Sequence, residues 1–204
     1  MPAPPGPRRT ARLRLEPVSP AHAGDLWRLH QDAAVAAWWG GPWTRADADR
    51  YAAAMARAWA GDGVGKWVAY ALETGELVGR GGLSRLPAGA ATTRLIASAM
   101  AGGGWARNRL ELGWTVRSAL WGRGYATEIG RAGLAFAFQE LGAEAVVAFT
   151  ERHNRRSRAV MERLGMGYVG EFPAPGLVEG RTGVHDDAPF ALYASAPAAA
   201  APSV

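Results

Sequence analysis

The 204-residue chain has no cysteine, which excludes disulfides, thiolate metal ligands and a cysteine nucleophile. Long apolar runs are also absent. The most hydrophobic stretches are broken by Gly, Arg or Glu well before the roughly 18 residues that a membrane span requires. The N-terminal MPAPPGPRRT lacks the apolar core of a signal sequence. A cytoplasmic protein without membrane association is the expectation. Lysine is almost missing: all but one of the 23 basic residues are Arg, a bias of composition rather than a pattern of charge. The net charge of +5 comes with no nucleic-acid recognition motif, so nucleic acid is not expected as a partner, whereas a phosphate-bearing small ligand would be drawn to the same positive field. His22, His30, His153 and His185 match no zinc spacing, and no metal is expected.

What is present fits one globular domain. Hydrophobic residues make up 49% of the chain, but 27 Gly and abundant Ala inflate that figure, so the core has to rest on aromatic residues, the nine Trp among them. Residues 1–9 are Pro-rich and residues 196–204 are Ala- and Pro-rich; both are predicted to be disordered tails flanking a domain at 10–195. Leu13 and Leu15 alternate with Arg and Glu as in a half-buried strand. Ser19 and Thr44 head two helices, the first through Gln31 and the second ending near Trp59. Strands at 67–72 and 77–83 flank a Glu73-Thr74-Gly75 turn. Residues 86–108 read as a long excursion of uncertain structure. Leu110, Leu112, Trp114 and Val116 then face one way on a strand, which puts Glu111 on the opposite face. A helix through Ala126 to Leu141, a strand at 145–150, a helix at 156–164 headed by Asn154, and strands near 168–172 and 190–193 complete the order.

The sharpest local feature is Trp121-Gly122-Arg123-Gly124-Tyr125-Ala126-Thr127 between a strand and a helix. Glycines in such a turn let backbone N–H groups converge, and the helix N-terminus adds about half a positive charge, an arrangement suited to a diphosphate. Arg123 could add a direct contact. A Walker P-loop would need Lys and Ser or Thr where Tyr125 and Ala126 stand, and a dinucleotide fingerprint would need Gly in place of Thr127.

Glu111-Leu-Gly-Trp-Thr-Val, followed by WGRGYATE and HNRRSRAVMERLGM (His153 to Met166), resembles the GNAT superfamily of N-acetyltransferases, in particular the ribosomal-protein N-terminal acetyltransferases. The resemblance covers roughly Thr10 to Ser195. It implies an α/β acyl-CoA N-acyltransferase fold, a mostly antiparallel twisted sheet with flanking helices and a splayed central strand pair, with acetyl-CoA as co-substrate. The family's diphosphate segment maps onto Trp121 to Ala126, with Trp121 in place of the usual Gln or Arg. The pantetheine arm would bond the backbone near Thr115 and Val116 and touch Asn154, which a plain helix cap would also explain. Glu111 corresponds to the family's general base and Ser157 to the residue that protonates or contacts the thiol. Trp38, Trp39 and Trp43 fall in a loop that contacts substrate in that family, although ordinary packing would account for them too. The acceptor implied is a primary amine, a protein N-terminus ahead of a small molecule or antibiotic. A non-catalytic acyl-CoA sensor is the alternative of another class. The oligomeric state, a homodimer included, is left open.

Overall fold

The computed structural model describes residues 6–100 and 104–197. Eight strands form one sheet in the order β1-β2-β3-β4-β5-β6-β8-β7: β1 (Arg8–Arg9), β2 (Leu13–Pro17), β3 (Lys66–Ala71), β4 (Leu77–Arg85), β5 (Leu110–Val116), β6 (Val146–Glu151), β7 (Gly167–Leu177) and β8 (Val184–Ser195). Every neighbouring pair is antiparallel except β5 and β6, which are parallel and pair only at Glu111 and Val147. Beyond that one point the two central strands separate. The helices are α1 (Ala23–Leu29), α2 (Ala33–Ala36), α3 (Arg45–Asp62), α4 (Ala91–Ala99), α5 (Trp105–Asn108), α6 (Tyr125–Ala135) and α7 (Arg155–Arg163).

Strand alternation decides which face each helix covers. Leu13, Leu15, Trp67, Leu83, Leu110 and Leu112 are fully buried with Ile129, Leu134 and Met161 from α6 and α7. α6 approaches closely because glycines meet it: a Cβ on Gly81 would stand 2.6 Å from Ile129, and one on Gly133 2.5 Å from Leu112. On the opposite face, Val18, Leu26, Ala48, Ala52 and Val68 join α1 and α3 to the sheet. Thr44 caps α3, accepting from the Asp47 N–H at 3.1 Å while Asp47 accepts from the Thr44 N–H at 2.8 Å, a reciprocal pair that satisfies two end donors.

Three expectations need correction. Arg8 and Arg9, read as tail, form an edge strand on β2, because Arg8 pairs with Glu140 at 2.5 Å and lies 4.4 Å over the Phe136 ring. The excursion after Leu86 contains α4, whose Ile96 and Thr93 are buried, and α5, whose buried Trp105 donates its indole N–H to the Leu110 carbonyl at 2.9 Å. β7 and β8 run to Leu177 and start from Val184, well beyond the short strands predicted. β7 is the outer edge of the sheet, where Pro173 and Pro175 remove no ladder bond that a neighbour needs. The C-terminal tail predicted at 196–204 falls mostly outside the described residues.

Candidate active site

Where β5 and β6 diverge, a cleft of about 940 Å³ opens through the sheet. Its walls include Leu112 to Val116 of β5, Phe149 to Glu151 of β6, the β5–α6 loop, the start of α7, Trp38 and Trp39 of the α2–α3 connection, and Pro175 to Leu177 with Val184 from the β7–β8 hairpin.

The β5–α6 loop is shaped by two residues in the left-handed region, Gly122 at φ 77° and Gly124 at φ 80°, which favours glycine at both places. Gly124 is the residue before α6, so the unpaired amides of the first helical turn open toward the cleft's mouth. The loop is braced from behind. Arg12 donates to the Arg123 carbonyl at 3.0 Å, stacks 4.4 Å over Tyr125, and pairs with Glu128 at 2.7 Å. Burial raises the Glu128 pKa, but hydrogen bonds from Thr10 and Arg12 outweigh it and hold this carboxyl below its ordinary range. Trp121, the unusual residue of the segment, donates its indole N–H to the Val116 carbonyl at 2.8 Å and carries Arg156 at 4.7 Å over its ring. It thereby ties the loop back to the strand it follows.

Glu111 lies on the cleft floor, its side chain only 15% exposed. It accepts from the Lys66 ammonium at 2.7 Å, and Lys66 also donates to the Gly82 carbonyl at 2.9 Å. Lys66 is 5% exposed, and burial lowers its pKa while Glu111 pulls it back up. The pair forms across glycine: Gly82 and Gly113 face each other in the β4–β5 ladder, and a Cβ on Gly113 would stand 2.6 Å from Glu111 Oε1 and 3.1 Å from Lys66 Nζ. Asn154 caps α7, accepting from the Ser157 N–H at 3.1 Å, and both residues line the cleft.

Beside this pair, Arg80 is 3% exposed. Its guanidinium sits within 4.8, 5.6 and 4.5 Å of the Trp39, Trp43 and Tyr51 rings. It donates to Tyr51 Oη at 2.8 Å and, through Nε, to His30 Nε2 at 3.4 Å. His30 stacks flat on Trp43 at 3.5 Å. Burial, and then the Arg80 charge, push the His30 pKa down to about 3, so it is neutral at ordinary pH. The sign of its effect on stability follows: the unfolded chain binds a proton near pH 6.5 that the folded protein refuses, so stability falls as pH drops through the window from 6.5 to about 3. In His30→Phe that component disappears, and the pH slope of unfolding free energy over this window is expected to flatten by up to about 1.4 kcal/mol per pH unit, measured by urea titration at pH 7 and pH 5.

Of the residues singled out by sequence, Glu111, Thr115, Val116, Trp121, Gly122, Gly124, Tyr125, Ala126, Thr127, Asn154, Ser157, Trp38 and Trp39 meet in this one cleft. Arg123 and Trp43 do not. Arg123 is exposed on the loop and contributes its carbonyl to Arg12, whereas Trp43 stands behind Trp39 at 5.8 Å between ring centroids, against His30. The start of α2 is fixed to the β5–α6 loop by Asp32, which caps α2 and accepts from the Ser118 N–H at 2.7 Å. Sequence reasoning missed Lys66 and Arg80. Lys66 carried a readable signal: it is the single Lys of an otherwise all-Arg basic set, and Lys is the one of the two that can readily lose its proton when buried.

The parted strands β5 and β6 and the glycine-bearing N-terminus of α6 border one continuous cleft, a shape and polarity suited to a long phosphate-bearing ligand. Comparison with known proteins narrows this. Residues 12–167 match the family model for the acetyltransferase (GNAT) domain. The chain is 34% identical over 180 residues to FsC-acetyl coenzyme A-N(2)-transacetylase of Aspergillus fumigatus, spanning 84% of this chain and 72% of that protein. A solved GnaT-family protein of Bordetella pertussis superposes with a TM-score of 0.70 at 26% identity over 93% of this chain and 99% of that one. The ribosomal-protein-S5-alanine acetyltransferase of Vibrio fischeri shares the fold with a TM-score of 0.66 at 12% identity, over 93% and 96% of the two chains. The chain belongs to the GNAT acetyltransferase family and is an acetyl-CoA-dependent acetyltransferase.

Proposed function

We propose that the protein acetylates a primary amine by direct attack on the acetyl-CoA thioester, and that the acceptor is the α-amine of a protein N-terminus. The observation that carries the reading is the Lys66–Glu111 pair on the floor of a cleft whose mouth is the glycine-bearing loop. In this account the amides of residues 122–127 hold the diphosphate, and the pantetheine arm runs beside Thr115 and Val116 like an added strand, with Asn154 against it. The amine nitrogen attacks the thioester carbon, the carbon–sulfur bond breaks, and Glu111 takes the proton that the nitrogen loses. Lys66 holds one carboxylate oxygen so that the other faces the amine. The departing thiolate takes a proton by way of the Ser157 hydroxyl, which is reprotonated from solvent as Glu111 releases the proton it took, and Trp38 and Trp39 wall the acceptor's side. An α-amine suits so lightly equipped a site, because its pKa near 8 leaves much of it neutral at physiological pH, whereas a Lys side chain near 10.4 is almost wholly charged.

The test is incubation with acetyl-CoA and two acceptor panels, short peptides with free N-termini and small-molecule amines, followed by mass spectrometry with fragment assignment. Acetylation of peptide α-amines is the expected result. Transfer confined to small amines would overturn the choice of acceptor and leave the chemistry standing.

A further inference from the structure

Arg80 is a permanent cation that no carboxylate among the described residues neutralises. Its guanidinium takes part in none of the ion pairs formed among the described residues, and its Nη2 has no hydrogen-bond partner among them. Around it stand three aromatic rings and a neutral imidazole. Aromatic faces offset part of the desolvation cost, but they leave the buried guanidinium without a counter-charge. Glu111, which lines the same cleft, is engaged by Lys66.

Its placement says what is missing. Arg80 lines the cleft together with Lys66, Glu111 and Trp39, on the β4 position directly opposite Thr115, and therefore on the same face as Glu111. α6, whose N-terminus the diphosphate loop precedes, packs on the other face of the sheet, where Gly81 meets Ile129, whereas Arg80 faces Tyr51 of α3, so the negative charge of the cofactor is held elsewhere. The ring that covers the guanidinium on the cleft side, Trp39, is 47% exposed and has solvent to move into. We infer that Arg80 is an anchor for a carboxylate carried by the acceptor close to its reacting amine, so that the preferred acceptor is an acidic amine and, among peptides, one whose first residue is Asp or Glu. Guanidinium and carboxylate match as a two-bond fork, and the fork would orient the amine toward Glu111. This rests on the acetyl-transfer reading of the same cleft.

The experiment compares isosteric acceptor pairs that differ only in carboxylate against carboxamide, peptides beginning with Glu or Gln and with Asp or Asn. Each is measured twice: as kcat/KM for acetyl transfer, and as binding to the coenzyme A-loaded protein by quenching of Trp fluorescence without turnover. Wild-type protein is expected to prefer the carboxylate member by roughly 30-fold or more in both readouts, and Arg80→Gln to bring both ratios near one. Equal rates and equal binding for the pair in wild type would overturn the inference, and need no variant to be folded. An Arg80→Gln loss that is the same for both members would also overturn it, assigning Arg80 to polarising the thioester carbonyl instead. If none of these peptides is turned over, the choice of a protein N-terminus as acceptor fails, while the binding ratio still decides the anchor.

Discussion

Replacing Glu111 by Gln is expected to lower kcat at pH 7 by roughly 10² to 10⁴, the range for loss of a general base, with the affinity for acetyl-CoA near normal. Gln keeps the shape and still accepts from Lys66, which donates at 2.7 Å in the wild type, so the loss isolates proton removal from positioning. The deficit should narrow as pH rises above about 8, where an α-amine is already neutral and needs less help. Lys66→Met gives a contrasting result. It leaves a carboxylate that is 15% exposed without its partner, which typically destabilises by about 3–5 kcal/mol, so this variant should lose thermal stability as well as turnover. Unchanged turnover in Glu111→Gln across pH 6 to 9 would remove Glu111 from its role.

Gly124→Glu is expected to abolish productive acetyl-CoA binding. Three effects act together. The residue stands at φ 80°, where a side chain is strained by about 1–2 kcal/mol; its Cβ would lie 3.5 Å from Arg12 Nη2, inviting the new carboxylate to compete with Glu128 for the brace; and the added negative charge would sit at the helix end that receives the diphosphate. Loss of even two charge-assisted bonds, at about 1.5–3 kcal/mol each, implies more than 100-fold in KM for acetyl-CoA. The melting temperature should change far less, because the loop is exposed and the core beneath it, Ile129 and Leu134, is untouched. A variant that retains wild-type KM would show that the diphosphate is held elsewhere.

Much of this architecture was legible because the relevant elements are half-buried and obey a simple period. Leu13 and Leu15, and Leu110 to Gly113, alternate in sequence and in burial, so the strand and the orientation of Glu111 followed directly; further along, Trp114 is only half-buried and Thr115 is buried. The glycines at 122 and 124 announced a turn that only glycine makes readily. The Ala- and Thr-rich α4 was unreadable for the opposite reason: small residues give a weak apolar stripe, and Ile96 is the one large side chain it buries completely. Pro173, Pro175 and Gly176 broke the pattern of β7, and only its edge position in the finished sheet explains why they are tolerated. Lys66 and Arg80 lie 45 and 31 residues before Glu111 in the sequence; they reach it by strand register, Lys66 opposite Gly82 and Arg80 opposite Thr115. A cluster assembled by register leaves no local motif. Its only sequence trace was the solitary Lys, and that trace gains meaning once the partner carboxylate is known.

Calorimetric titration of the purified protein with acetyl-CoA, with Gly124→Glu as the blank, tests the central claim most directly because it needs no knowledge of the acceptor. One site of micromolar affinity per chain, lost in the variant, is the predicted result; a folded wild-type protein that binds no acetyl-CoA, or a variant that binds it equally well, would contradict the account.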